Sequence, residues 1–308
     1  MNTNATSASQ PHPFRVIGHA GMRTTPDGSL IIKPSFPAEL RFYETLMMDP
    51  YIAPMRPFVP RFLGTLPENS GLADDAAQLS GISIPPGRTE FVILENLCNA
   101  FSKPNTLDIK LGTVFHDDKT DPAKVLRMQR TSRETTSLRT GVRLTEFQVY
   151  DTKTSQPVCT PKSYGKAIKE SELAKGFAQC FPVYGEPSSS TLGLPRRLLV
   201  PILRGIRESV ARIREIYSSL EMRIVGGSLV IMYEADWCLA EEGLRRHSLQ
   251  PLDEHRESGV RRLPYLVKIV DFAHTRVGRG LGPDEGVLLG LNTMLKLLDG
   301  RITELSYP

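Results

Sequence analysis

The sequence predicts an α+β chain of strands and helices, and three stretches carry that prediction. Residues 104–112, PNTLDIKLG, alternate apolar and charged positions at the period of a strand, so Leu107, Ile109 and Leu111 take one face while Asp108 and Lys110 share the other. Residues 198–222 repeat apolar side chains at 202, 206, 210, 213, 217 and 220, the stripe of a long helix packed on a core. Between Phe14 and Met48 a hairpin pattern passes directly into a helical one.

The bulk properties narrow the class. The 308 residues are 40% hydrophobic and 23% charged with a formal net charge of +4, which describes an ordinary globular protein, long enough for one large domain or two lobes. No apolar run approaches the ~18 residues of a membrane-spanning helix. Residues 1–13, MNTNATSASQPHP, lack the apolar segment of a signal peptide and read as a disordered tail, so a cytoplasmic or nuclear location is expected. Cys98, Cys159, Cys180 and Cys238 form no C-x-x-C pair, which argues against a zinc ribbon and a disulfide framework. The modest charge points to no direct nucleic-acid site.

In chain order, the hairpin of residues 14–36 starts at Val16-Ile17, turns at Pro26-Asp27-Gly28 and returns through Ser29–Lys33. A helix follows from Ala38 to Met48, with Pro37 before its first turn and Glu39 within it. Residues 49–88 read as loops around one strand, Phe58 to Leu66, and Glu90–Leu97 as the next strand. In the opening motif Pro104 fixes the entry and Gly112 ends the run. Taken alone, an Asp-x-Lys pair on a wet strand face is a weak surface ion pair.

Farther on, Asp121 is a candidate N-cap and Pro122 a first helical residue, after which Lys124, Arg127 and Thr131 share a face with Arg130 beside them. A basic helix of this kind suits a polyphosphorylated ligand, because phosphates favour cationic, fork-shaped partners. Residues 152–197 read as polar chain with one helix near Glu170–Phe181, and 187–191 as a mobile loop. Arg223–Glu234 reads as a strand, 235–262 as a charged insertion loop, and Leu263–Val270 as a buried strand that delivers Asp271-Phe-Ala-His-Thr275. A carboxylate at the end of an apolar strand is costly unless a cation meets it, and magnesium on nucleotide phosphates would do so. The last helix, from Pro283 to Leu298, is expected to stop at Gly300.

Together these motifs resemble the inositol polyphosphate kinase family. The likeness rests on a strand lysine, the PxxxDxKxG run of 104–112, the Ser-Leu strand at 228, and DFAHT with its following helix, in the family's order across residues 15–299. Three departures stand out: Glu146-Phe147 replace the usual Gly-Met, Gly227 stands where a serine is usual, and Thr131 occupies a place where some members carry lysine. The compact chain most resembles the multikinase branch. No H-R-D-x-x-x-x-N segment of a protein kinase and no GxGxxG or Walker A loop occurs.

The resemblance implies a two-lobed, protein-kinase-like α+β fold with ATP between an N-lobe (14–97) and a C-lobe (98–308) whose helix near 121–133 binds inositol phosphate. It implies that Lys33, partnered by Glu39, grips the ATP phosphates, that main-chain groups of Glu95 and Leu97 meet the adenine, and that Ser228 lies at the nucleotide. Asp108 would hold the ribose or assist the acceptor hydroxyl, Lys110 would bridge γ-phosphate and acceptor, and Asp271 would bind Mg. Lys124, Arg127, Arg130 and His274 would contact the inositol phosphates. A kinase acting on phosphoinositide headgroups and a catalytically silent transcriptional scaffold remain as alternatives.

Overall fold

The computed structural model describes residues 22–67, 90–118, 120–186, 191–249 and 263–306. The expected tail of 1–13, the hairpin start at Val16-Ile17, and residues 187–190 and 250–262 lie outside them. The first sheet has the order β1-β2-β4-β3, all antiparallel, from Arg23–Thr24, Leu30–Ser35, Phe62–Pro67 and Glu90–Glu95 (β1 to β4). Helix α1, Pro37–Met48, follows β2 and buries Glu39, Phe42, Tyr43 and Leu46. The strand expected to begin at Phe58 begins at Phe62, because Pro54 and Pro57 hold Ala53–Phe58 in a 3-10 turn.

The second sheet is built on β5, Pro104–Leu111, whose Leu107, Ile109 and Leu111 are at most 1% exposed. Strand β6, Val142–Tyr150, flanks it on one side and pairs outward with β7, Pro157–Thr160. Short strand β8, Met222–Ile224, pairs only with β11, Thr275–Val277, so the single strand expected over 223–234 breaks at Gly226-Gly227. Strand β9, Ser228–Glu234, flanks β5 on the other side and carries β10, Tyr265–Val270. Phe147, one of the two unusual residues in β6, is core, 4% exposed and edge-on to Tyr164.

Helices cover this sheet. Pro122–Glu134 (α2) is capped by the Asp121 carboxylate, which accepts from Ala123 N and Lys124 N as expected. Short helices α3 (Ser137–Thr140), α4 (Lys162–Ala167) and α5 (Leu173–Gln179) follow. Long helix α6, Arg196–Ser218, buries Ile202, Ile206, Val210, Ile213 and Tyr217, its expected stripe. Trp237–Leu249, expected as loop, is helix α7; Asp236 accepts from Cys238 N and Leu239 N at its start. The last helix, α8, runs Glu285–Ser306, straight through Gly300. Tertiary packing overrides that glycine: Leu298, Arg301 and Leu305 are buried beyond or around it, and Arg301 donates to Phe181 O at 2.8 Å.

One apolar core runs from α1 to α8. Its link to the residues after β10 is aromatic: Phe272, fully buried, stacks on Phe42 with centroids 3.9 Å apart and meets Tyr43 edge-on.

Candidate active site

Two clefts meet between the sheets. The first is lined by Ile31, Leu94 and Leu97 from one side and Val230, Met232 and Val270 from the other, with Lys33, Asp108, Lys110 and Asp271 in the same wall. The second shares Lys33, Lys110 and Asp271 and adds Phe36, Phe115, Arg127, Thr131, Arg143, Lys166 and His274. One cleft is apolar with a strand edge; its neighbour is cationic.

The junction is a four-residue charge network. Lys33 Nζ donates to Glu39 Oε1 at 2.8 Å and to Asp271 Oδ1 at 3.5 Å, while Lys110 Nζ donates to Asp271 Oδ2 at 3.0 Å and to Gly226 O at 2.7 Å. Glu39 is 1% exposed and accepts from Ser35 Oγ at 3.3 Å with its other oxygen. Burial would lower the Lys33 ammonium, but Glu39 and Asp271 outweigh it and its pKa rises, so the group is charged at neutral pH. Asp271 has φ 68°, a left-handed conformation unusual outside glycine, held by Phe272 anchored in the core beside it.

Asp108 departs from the expected wet ion pair. Its Oδ1 is buried with no hydrogen-bond partner, Lys110 is turned to Asp271 instead, and Ser228 Oγ is likewise buried and unpartnered. Burial pushes the Asp108 carboxyl upward, tempered by the Lys110 charge and the nearby Ser228 hydroxyl. A buried oxygen of this kind calls for a further partner, from water, an ion or a ligand, beyond the neighbouring Ser228 hydroxyl.

At the end of β4, Glu95 N–H donates to Arg61 O at 3.0 Å, and the Glu95 carboxylate is held by Arg61 N at 3.0 Å and Lys268 Nζ at 3.3 Å. Lys268, which the sequence reading passed over, therefore ties the strand end of one sheet to β10 of the other. Leu97 opens a 3-10 turn, where amides lack an internal acceptor.

Around the second cleft, His274 Nδ1 and Asp117 Oδ2 are 2.7 Å apart, and Arg276 donates to Asp118 Oδ2 at 2.9 Å. Arg127 lines this cleft, but Lys124 and Arg130 do not; Arg130 Nε is paired along the helix with Glu134 at 2.7 Å. Arg143, Lys166 and Phe115 line it without having been singled out in the sequence. The signal of Arg143 was hidden because only the β5/β6 register sets it opposite Lys110, and those of Lys166 and Phe115 because helix and loop positions meet the strand only in the folded chain.

Among the described residues no group of three or more His, Cys, Asp or Glu side chains forms a metal cage. The donors present still fit Mg: it takes one or two carboxylates and completes its octahedron with phosphate oxygens and water. Asp271, gripped by two ammonium groups at the mouth of both clefts, is the carboxylate that would hold it.

The family pattern described as inositol polyphosphate kinase matches residues 91–299. The chain belongs to that family. It is similar to the inositol polyphosphate multikinase of Saccharomyces cerevisiae, 26% identical over 92% of this chain and 96% of the relative, and to that of Schizosaccharomyces pombe, 24% identical over 92% and 94%. Human inositol hexakisphosphate kinase 1 is 28% identical over 68% of this chain but only 52% of its own length. The crystal structure of the S. cerevisiae multikinase in complex with ADP and Mn2+ aligns with TM-score 0.66 and 26% identity over 89% of this chain and 99% of that one. This family member thus has the two-lobed α+β kinase-like fold, and no described helix is long and apolar enough to cross a membrane.

Proposed function

We propose that the chain transfers the γ-phosphoryl group of ATP to a hydroxyl of an inositol tris- or tetrakisphosphate. The observation that carries this reading is the shared wall: Lys33, Lys110 and Asp271 line both the apolar cleft and the cationic one. A phosphoryl group passing from one ligand to the other crosses that wall.

The apolar cleft takes the nucleotide, its base against the Glu95 carbonyl and Leu97 amide, and the two lobes divide after Leu97. Because the Glu95 N–H is already given to Arg61 O, only the carbonyl of that residue serves the base edge. Lys33 binds phosphate oxygens and is oriented by Glu39, and Asp108 borders the nucleotide, whereas Ser228 is fully buried on β9 and does not line the cleft. Asp271 would hold a Mg ion, which would supply neutralisation of the phosphate charge. Lys110, between the clefts, follows the charge onto the transferred group, while Asp108, which lines the nucleotide cleft and not its cationic neighbour, holds the ribose rather than the acceptor hydroxyl. Arg127 and His274 hold acceptor phosphates, the latter oriented by Asp117.

Incubating the protein with inositol 1,4,5-trisphosphate, ATP and Mg and resolving the products tests the proposal. A tetrakis- or pentakisphosphate is expected; unchanged trisphosphate with intact ATP overturns it. A parallel arm with phosphoinositide vesicles separates soluble acceptors from lipid headgroups.

A further inference from the structure

Among the described residues, Arg143 stands in the cationic cleft beside another cation and with no carboxylate partner. Across the β5/β6 ladder, Lys110 and Arg143 are direct partners, so two cations stand side by side on one sheet face. Like charges in this position destabilise a sheet unless an anion lies between or beside them. Lys110 has its answer in Asp271 and Gly226 O. Arg143 has none.

Its side chain is half-buried and fixed: the guanidinium lies 5.3 Å from the centre of the Phe115 ring, and Nη1 donates to Ser137 Oγ at 3.3 Å. No carboxylate lies within ion-pair distance among the described residues, and Asp108 acts on it only as a charge at longer range. Burial pulls its pKa below the ordinary arginine value, a sign that the site as it stands does not satisfy the cation. Neutral partners hold the fork in place while leaving its charge uncompensated, the arrangement of a preset phosphate grip.

A second cation stands next to it. Lys166 lines the same cleft from α4, and that helix lies so close to β6 that a Cβ on Gly165 would come 1.7 Å from Leu144 O. The close contact sets the backbone at Lys166 beside the strand that carries Arg143, with the side chain exposed toward the cleft it lines. Arg127, by contrast, enters from α2, a separate element.

We propose that Arg143 and Lys166 form a phosphate subsite for the acceptor, separate from the one on α2, so that phosphates are gripped from two walls of the cleft. The inference rests on the function proposed above and assigns part of its substrate recognition. It selects acceptors with phosphates on both flanks of the reacting hydroxyl over those phosphorylated on one flank.

The test compares wild type with Arg143→Leu and Arg143→Lys. With inositol 1,4,5-trisphosphate, Arg143→Leu is expected to raise the acceptor KM about ten- to a hundred-fold while the ATP KM stays within about twofold, and Arg143→Lys to recover part of the loss. Without nucleotide, the rise in Tm produced by the trisphosphate should shrink in Arg143→Leu, although that variant's own Tm stays level or increases as the Lys110 repulsion is removed. An unchanged acceptor KM and unchanged trisphosphate-induced Tm shift overturn the subsite, as does a parallel loss for ATP and acceptor with a lowered Tm, which marks a structural arginine. If wild type neither turns over nor binds the trisphosphate, it is the proposed function that fails.

Discussion

At Asp271, chemistry and backbone make separate demands on one residue. Its left-handed φ of 68° suits asparagine at least as well as aspartate but costs other residues about 1 kcal/mol or more. Asp271→Asn keeps that backbone fit but leaves the Lys33 and Lys110 ammonium groups without their shared carboxylate, so it is expected to melt below wild type, and Asp271→Ala lower still, while both lose at least about 100-fold in turnover; thermal melts beside rate measurements check the split. Asp108 presents the opposite balance. Its folded pKa is raised above the ordinary 3.8, so the folded state holds the proton more tightly and stability is lost as pH rises through the folded value. Asp108→Asn should accordingly be more stable than wild type without ligand at neutral pH, and the difference should vanish on acidification toward 3.8, as denaturant titrations at several pH values would reveal. Turnover should fall in the same variant.

Among the elements, those with a strict period were legible and those that depend on neighbours were not. The alternation of 104–112 and the stripe of α6 each follow from one stretch of chain, and the Asp121 cap needs only its own next two residues. Trp237–Leu249 packs on the core through Trp237, Ala240 and Leu244, a short stripe masked by Glu241, Glu242, Arg245 and Arg246; Gly300 looked like a stop because the packing of Leu298, Arg301 and Leu305 that carries the helix past it depends on partners elsewhere in sequence. Arg143 was invisible for a related reason, since only the β5/β6 register sets it opposite Lys110. Helix α4 gives the prediction at this scale. Gly165→Ala forces the helix off β6, at a cost of about 1–3 kcal/mol from overpacking, and should raise the acceptor KM more than the ATP KM by displacing Lys166. An unaltered acceptor KM together with a lowered Tm would separate fit from recognition.

For the whole molecule, what had been legible was the inventory, Lys33, Lys110, Asp108 and Asp271, whereas their partnership was not. The sequence suggests Asp108 with Lys110, but the folded chain joins Lys110 to Asp271 and leaves Asp108 without a hydrogen-bond partner on Oδ1. That exchange needs β10 to bring residue 271 across to β5 through β9, a path set by two ladders. The Phe272 stack on Phe42 then carries the same segment to α1, so the position of the acid depends on packing in both sheets' surroundings.

Because Asp271 is held on one oxygen by Lys33 and on the other by Lys110, a guest in either chamber must renegotiate a grip that also defines its neighbour. Occupancies on the two sides cannot then be independent: the factor by which a non-hydrolysable ATP analogue alters trisphosphate affinity must equal the factor by which the trisphosphate alters affinity for the analogue. Calorimetric titrations in both orders should return one matched factor different from unity. Such an enzyme meets its two substrates as members of a single equilibrium, with the carboxylate as the hinge of the exchange.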